Sequence, residues 1–126
     1  MKELTHIDKQ GSAAMVDVTG KVATEREAVA RGSVHMEKGT LKLITDNKIT
    51  KGNVFETARL AGIMAAKSTP NIIPMCHPLM LNKVKVTFKV EKSKRQVTTT
   101  AEVICLGRTG VEMEALTAAS VASLTI

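Results

Sequence analysis

A chain of 126 residues is long enough to bury one hydrophobic core and too short for two, so residues 1–126 are read as a single domain. With no Trp, no Tyr and only two Phe it lacks the stacking rings of an RNA-reading sheet, while a formal charge of +6 points to an anionic partner. Two cysteines exclude a disulfide framework or zinc knuckle, no apolar leader opens the chain and no run is long enough to cross a bilayer, so a soluble cytoplasmic protein is expected.

Residues 1–20 mix polar and small groups around the apolar island Met15-Val16-Asp17-Val18 and are punctuated by Gly11 and Gly20, as in an arm that is ordered only where something covers it. From Thr24 to Met36 a capping-box pattern competes with alternation of Ala28, Ala30, Gly32, Val34 and Met36 against polar neighbours. The alternation is longer and Gly32 would weaken a helix, so a strand is expected. Arg26 then shares a face with Ala28 and Ala30, an unusual place for an arginine unless an anion meets it there.

Thr40 to Thr45 fits a short helix ended by Asp46-Asn47. Asn53 is placed to cap a second helix running to about Lys67, with Glu56 as its reciprocal partner and Val54, Ala58, Ala61, Met64 and Ala65 on one face. Lys51 stands just before that helix, where the dipole disfavours an ammonium. This suits a lysine that exchanges protons, with an ordinary solvated lysine as the alternative.

Pro74 and Pro78 bracket Met75, Cys76 and His77 and bias them away from helix, giving a short stiff segment between a helix and a strand. His77 can change charge near neutral pH, and such junctions commonly carry sites; a packed turn is the alternative. Lys83 to Val90 alternates perfectly between polar and apolar, and after the Glu91–Arg95 turn comes a second alternating run, Val97, Thr99, Ala101, Val103 and Cys105. The two form an antiparallel hairpin with a solvated lysine row on its outer face.

Gly107-Arg108-Thr109-Gly110 is a turn that introduces a helix over 111–126, with Glu112 and Glu114 in its first turn and small or apolar residues nearly all round. Such a helix expects burial on more than one side, which self-association would supply, and the sequence stops inside it without a cap, so further C-terminal residues are expected. The pattern is α+β: an antiparallel sheet with helices on one face, one strand short of a split βαβ, or ferredoxin-like, sheet.

Met15-Val16-Asp17-Val18, Lys51-Gly52-Asn53-Val54-Phe55, Ile73-Pro74-Met75-Cys76-His77-Pro78-Leu79 and Thr109-Gly110-Val111-Glu112-Met113-Glu114-Ala115-Leu116-Thr117 together resemble the cyclic pyranopterin monophosphate synthase family, the MoaC proteins of molybdenum cofactor biosynthesis. The resemblance implies a ferredoxin-like subunit of a homohexamer, a trimer of dimers, and a lyase that converts 3′,8-cyclo-7,8-dihydro-GTP to cyclic pyranopterin monophosphate and releases diphosphate. It places substrate binding at Met75, Cys76, His77, Met113 and Glu114. Lys51 matches the family's catalytic lysine, with His77 beside it in the chemistry, and Arg26 and Lys67 fall where the family puts positive charge for the triphosphate. No resident cofactor is implied, and magnesium on the triphosphate stays open. The family continues past the matching Ala-Leu-Thr segment with a further catalytic aspartate and lysine, so a catalytically impaired ligand-binding or scaffold subunit is an alternative.

The residues themselves fit that chemistry. A triphosphate carries about four negative charges that Arg26, Lys51, Lys67 and Arg108 can meet through charge-assisted hydrogen bonds. A histidine and a lysine can move the protons of a ring rearrangement. Glu112 and Glu114 can complement the helix dipole or accept N–H bonds from a guanine-like edge, and Glu114 is favoured as the ligand reader. Cys76 is read as packing, since no base neighbours it in sequence. A basic nucleic-acid-binding ferredoxin-like module is the weaker alternative, because its strands offer one Phe, on the core face.

Overall fold

The central strand of the sheet is the last in sequence. In the computed structural model, which describes residues 5–48 and 52–126, β3 (Gln96–Gly107) pairs antiparallel with β1 (Thr24–His35) on one side and β2 (Lys83–Glu91) on the other. β1 and β2 therefore run in the same direction without touching. The other elements are α1 (Lys38–Thr45), α2 (Val54–Lys67), the single turn α3 (Thr69–Ile72) and α4 (Glu112–Thr125), with a 3-10 turn at Lys92–Lys94 inside the hairpin.

Register turns the expected alternation into rows across one face: Ala28, Val103 and Val84; Ala30, Ala101 and Val86; Gly32, Thr99 and Phe88; Val34, Val97 and Val90. α4 lies over β1 and β3, α2 lies over β2, and the two helices pack on each other, so both long helices cover this face. Val86, Val97 and Val103 are fully buried, and each such valine contributes about 1.5–3 kcal/mol of apolar burial. The helices can approach closely because the residues they bury are small, Ala58, Gly62, Ala65 and Ala66 on α2 and Ala115, Ala118, Ala119 and Ala122 among those on α4. At Gly62 a Cβ would lie 3.0 Å from the Ala118 carbonyl oxygen and 3.1 Å from the Ala122 Cβ, tighter than ordinary van der Waals contact.

The opposite face carries the lysine row. Lys83, Lys85 and Lys89 are exposed, and Lys83 Nζ reaches Glu102 at 3.3 Å. Gln96 and Thr98 both donate to the Glu91 carboxylate, which holds it below the usual carboxylate range. At the outer edge of the sheet, Arg59 Nε donates to the Val86 carbonyl at 3.0 Å and its guanidinium rests over the Phe88 ring, 5.7 Å from the centroid. That contact occupies one edge carbonyl.

Several local expectations are corrected. α1 begins at Lys38 rather than Thr40, and Met36 falls outside β1. Asn53 does cap α2, accepting from the Glu56 backbone N–H at 3.1 Å, but the Glu56 carboxylate turns to pair with Arg59 instead of closing the capping box. The chain past Lys67 makes the extra turn α3, with Pro70 in its first turn, where the missing N–H costs nothing. Among the described residues no helix is long and apolar enough to cross a membrane.

Candidate functional site

The stiff His77 segment is positioned from both ends. At its start, buried Thr69 donates its hydroxyl to the carbonyls of Ala65 and Ala66, at 3.1 and 2.9 Å, and so ties α3 to the last turn of α2. A turn then closes with the Cys76 N–H on the Ile73 carbonyl at 3.2 Å. At its far end the chain runs along the finish of β3: Cys105 Sγ donates to the Met80 carbonyl at 3.3 Å, and the Leu106 N–H donates to Asn82 Oδ1 at 2.8 Å. Met75, Cys76 and His77 thus lie non-helical and half-buried beside the point where β3 ends and α4 begins.

There they line a cavity of about 210 Å³ with Arg26 from β1 and Glu112, Met113 and Glu114 from the first turn of α4. Seven of the nine expected site residues meet in this one place. Four further side chains close it from the N-terminal arm, namely Thr5, His6, Val16 and Lys21. Lys67 is exposed in the last turn of α2 and lies outside this lining. Lys51 falls outside the described residues. Arg108 lines an adjoining hollow that shares His77, Leu79 and Thr109 with the main cavity.

Arg26 stands opposite Cys105 in the β1–β3 ladder, on the core-facing side of the sheet, as its alternation with Ala28 and Ala30 predicts. Its Nε is buried and has no hydrogen-bond partner among the described residues. A buried guanidinium N–H without an acceptor is costly, and an anionic ligand would relieve that cost. Facing this cation is a concentration of acid. Glu114 is only 3 % exposed, and burial, reinforced by the neighbouring Glu112, pushes its carboxyl above the usual range against the opposing pull of its own backbone N–H. Gly110 leaves room for Glu112, whose Oε2 would collide with any Cβ placed there.

Both thiols feel the same acids. Burial first, then Glu114 and Glu112, raise the Cys76 thiol, and burial followed by Glu114 raises Cys105. A thiol held protonated is a poor nucleophile, consistent with Cys76 acting as packing and backbone. Among the described residues no group of three or more His, Cys, Asp or Glu side chains is arranged to hold a metal ion.

Sequence reasoning missed the arm's contribution. Its residues have no helical or strand period, and the only local signals were a histidine in Thr5-His6-Ile7-Asp8 and a lone Lys21. The Asp17 carboxyl, hydrogen-bonded by the hydroxyl and then the backbone N–H of Thr19, is held below its ordinary value, with His77 adding a smaller pull.

Sheet, helix layer and cavity together define an α+β protein whose cavity is lined by an arginine, a lysine, two imidazoles and two carboxylates. The MoaC family model matches residues 15–126. The cyclic pyranopterin monophosphate synthase of Pelotomaculum thermopropionicum is 56% identical over 126 residues, covering 100% of this chain and 74% of that protein. Those of Parvibaculum lavamentivorans and Listeria monocytogenes are 54% and 51% identical, covering 99% and 98% of this chain and 78% and 77% of theirs. The chain belongs to the MoaC family.

Proposed function

We propose that this chain binds 3′,8-cyclo-7,8-dihydro-GTP and acts in its conversion to cyclic pyranopterin monophosphate with release of diphosphate, a lyase step of molybdenum cofactor biosynthesis in the cytoplasm. The observation that carries this is the buried Arg26 Nε, without a partner among the described residues, in the same cavity as His77 and the buried Glu114. Arg26 and Lys21 supply positive charge for the phosphates, and Glu112 and Glu114 accept N–H groups of the purine-derived ring. His77 gives and takes protons during the rearrangement, partnered by Lys51, and Met75, Cys76 and Met113 shape the ring's seat. Lys67 serves the triphosphate from a neighbouring subunit. No resident cofactor enters; magnesium, where present, arrives with the triphosphate. No nucleic acid is involved.

The parallel flanking of β3 by β1 and β2 supports a split βαβ unit, completed to a ferredoxin-like sheet by a fourth strand beside β1. Assembly as a homohexamer, a trimer of dimers, is supported by apolar side chains left outward on the helix layer: Leu60, Met64, Leu116 and Leu124 are each at least half exposed.

The test is calorimetry of the full chain with 3′,8-cyclo-7,8-dihydro-GTP, followed by a diphosphate assay. Saturable binding that is lost in His77→Ala and Arg26→Ala is expected. Absence of saturable binding by the unaltered chain would overturn the proposal, and binding without diphosphate release would identify a ligand-binding subunit instead.

A further inference from the structure

One wall of the cavity is built by neither sheet nor helix. The arm that supplies it is exposed along almost all of residues 5–21 and is held together by its own turn. Asp8 Oδ1 accepts from the backbone N–H groups of Gln10 and Ser12, at 3.0 and 2.8 Å, Gly11 takes a φ of 82° that other residues resist, and Ile7 bridges to Ala13. This small loop ends in a double contact between His6 and Ala14. The Ala14 N–H donates to the His6 carbonyl at 2.7 Å, and the His6 ring answers with Nδ1 at 3.3 Å from the Ala14 carbonyl oxygen.

A carbonyl oxygen only accepts, so Nδ1 carries the hydrogen and its bonding is used within the arm. Nε2 is left over. Among the described residues it has no hydrogen-bond partner, and the ring to which it belongs lines the same cavity as Arg26, His77 and Glu114. A ring fixed at one nitrogen and free at the other is the arrangement by which a histidine is aimed at a ligand.

We propose that His6 is a ligand-contacting residue whose Nε2 bonds a phosphate oxygen, an assignment that rests on the phosphate-bearing ligand proposed above. The distribution of charge selects the phosphate over the ring: the arm and the start of β1 contribute the cavity's cations, Lys21 and Arg26, whereas its carboxylates come from residues 112 and 114. An Nε2–H on the cationic side donates to a phosphate oxygen, and a purine N–H is better served by the carboxylates.

Two substitutions separate contact from mere bracing of the arm. In His6→Asn the amide reaches the Nδ1 position and keeps the bond to Ala14 but leaves the Nε2 position empty; in His6→Gln the longer amide reaches the Nε2 position. Calorimetry of the full chain with inorganic tripolyphosphate and, separately, guanosine is expected to show His6→Asn weakening tripolyphosphate about tenfold, His6→Gln retaining most of the affinity, and guanosine unchanged. Melting temperatures should match the unaltered chain, since His6 is exposed. Unaltered tripolyphosphate binding in His6→Asn, or a loss confined to guanosine, would overturn the proposal. If Arg26→Met abolishes tripolyphosphate binding while His6→Asn does not, the phosphate site stands and His6 falls; if the unaltered chain takes no tripolyphosphate, both fall.

Discussion

Arg26 and Cys105 face each other across the β1–β3 ladder, and that one register position places an arginine on the helix-covered face of the sheet, where it lines the same cavity as the first turn of α4. Cys105 is buried there, and Arg26 lines the cavity together with Glu114.

Because its Nε has no acceptor among the described residues, Arg26 is expected to cost stability and to provide affinity. Arg26→Met removes a buried donor whose desolvation costs about 1–3 kcal/mol, so its melting temperature should equal or exceed that of the unaltered chain. Affinity for tripolyphosphate should fall about ten- to a hundredfold, the range for one or two charge-assisted hydrogen bonds. A lower melting temperature with unaltered binding, read by calorimetry, would point to a structural role instead.

Glu114 gives a pH signature with a definite sign. Its carboxyl titrates higher in the folded protein than in the unfolded chain, chiefly through burial, so as pH rises from the ordinary carboxylate value near about 4.3 the unfolded chain releases its proton first and the folded state is progressively penalised. Glu114→Gln should therefore be no more stable than the unaltered chain below about pH 4 and more stable than it at neutral pH. Denaturant unfolding at a series of pH values checks this. Guanosine affinity should fall in the same variant, because a carboxylate acceptor is lost.

At Gly62, helix propensity and packing oppose each other. Alanine would gain about 1 kcal/mol of helix propensity, but its Cβ would press on the Ala118 carbonyl, the Ala122 methyl and Val86 at 3.0–3.2 Å. The carbonyl is backbone and moves only if α4 moves, and overpacking of this kind costs about 1–3 kcal/mol. A net loss of about 1 kcal/mol is expected for Gly62→Ala, with a larger loss for Gly62→Val, both read from denaturant midpoints.

Thr69→Val tests how the His77 segment is anchored. The substitution keeps the shape of a fully buried side chain while deleting the hydroxyl that bonds two carbonyls of α2. A loss of about 1 kcal/mol is expected, together with weaker tripolyphosphate and guanosine binding because α3 and the residues after it lose their tie. Full affinity at reduced stability would show that the contacts with Met80 and Asn82 position His77 unaided.

Much of this was legible where side chains repeat with a period. Lys83–Val90 and Val97–Cys105 alternate because one face meets helices and the other water, and Arg26 stood out by interrupting an apolar row. The Asn53 cap was visible as well, yet its reciprocal half was not, since only tertiary structure shows that Arg59, anchored on Val86 and Phe88, draws the Glu56 carboxylate away. α3 hid behind Pro70, which reads as a break although the first turn of a helix tolerates it. The arm was opaque for a different reason. Its fold comes from one Asx turn and a left-handed glycine, and nothing in that local chemistry announces that His6 and Lys21 end up beside residues a hundred positions away.

The placement of β3 between two strands that never meet also dictates an order of events during biogenesis. The β2–β3 hairpin can zip from its turn residue by residue as β3 leaves the ribosome, whereas β1, made first, must wait roughly seventy residues for Ala101 to arrive opposite Ala30. Until then a nascent chain exposes an unpaired β1 carrying Arg26, one of the cavity's two Lys and Arg side chains. The cavity is therefore among the last features of the molecule to come into existence, and a substitution that slows the docking of β1 would lower the yield of folded protein without altering any group that lines the cavity.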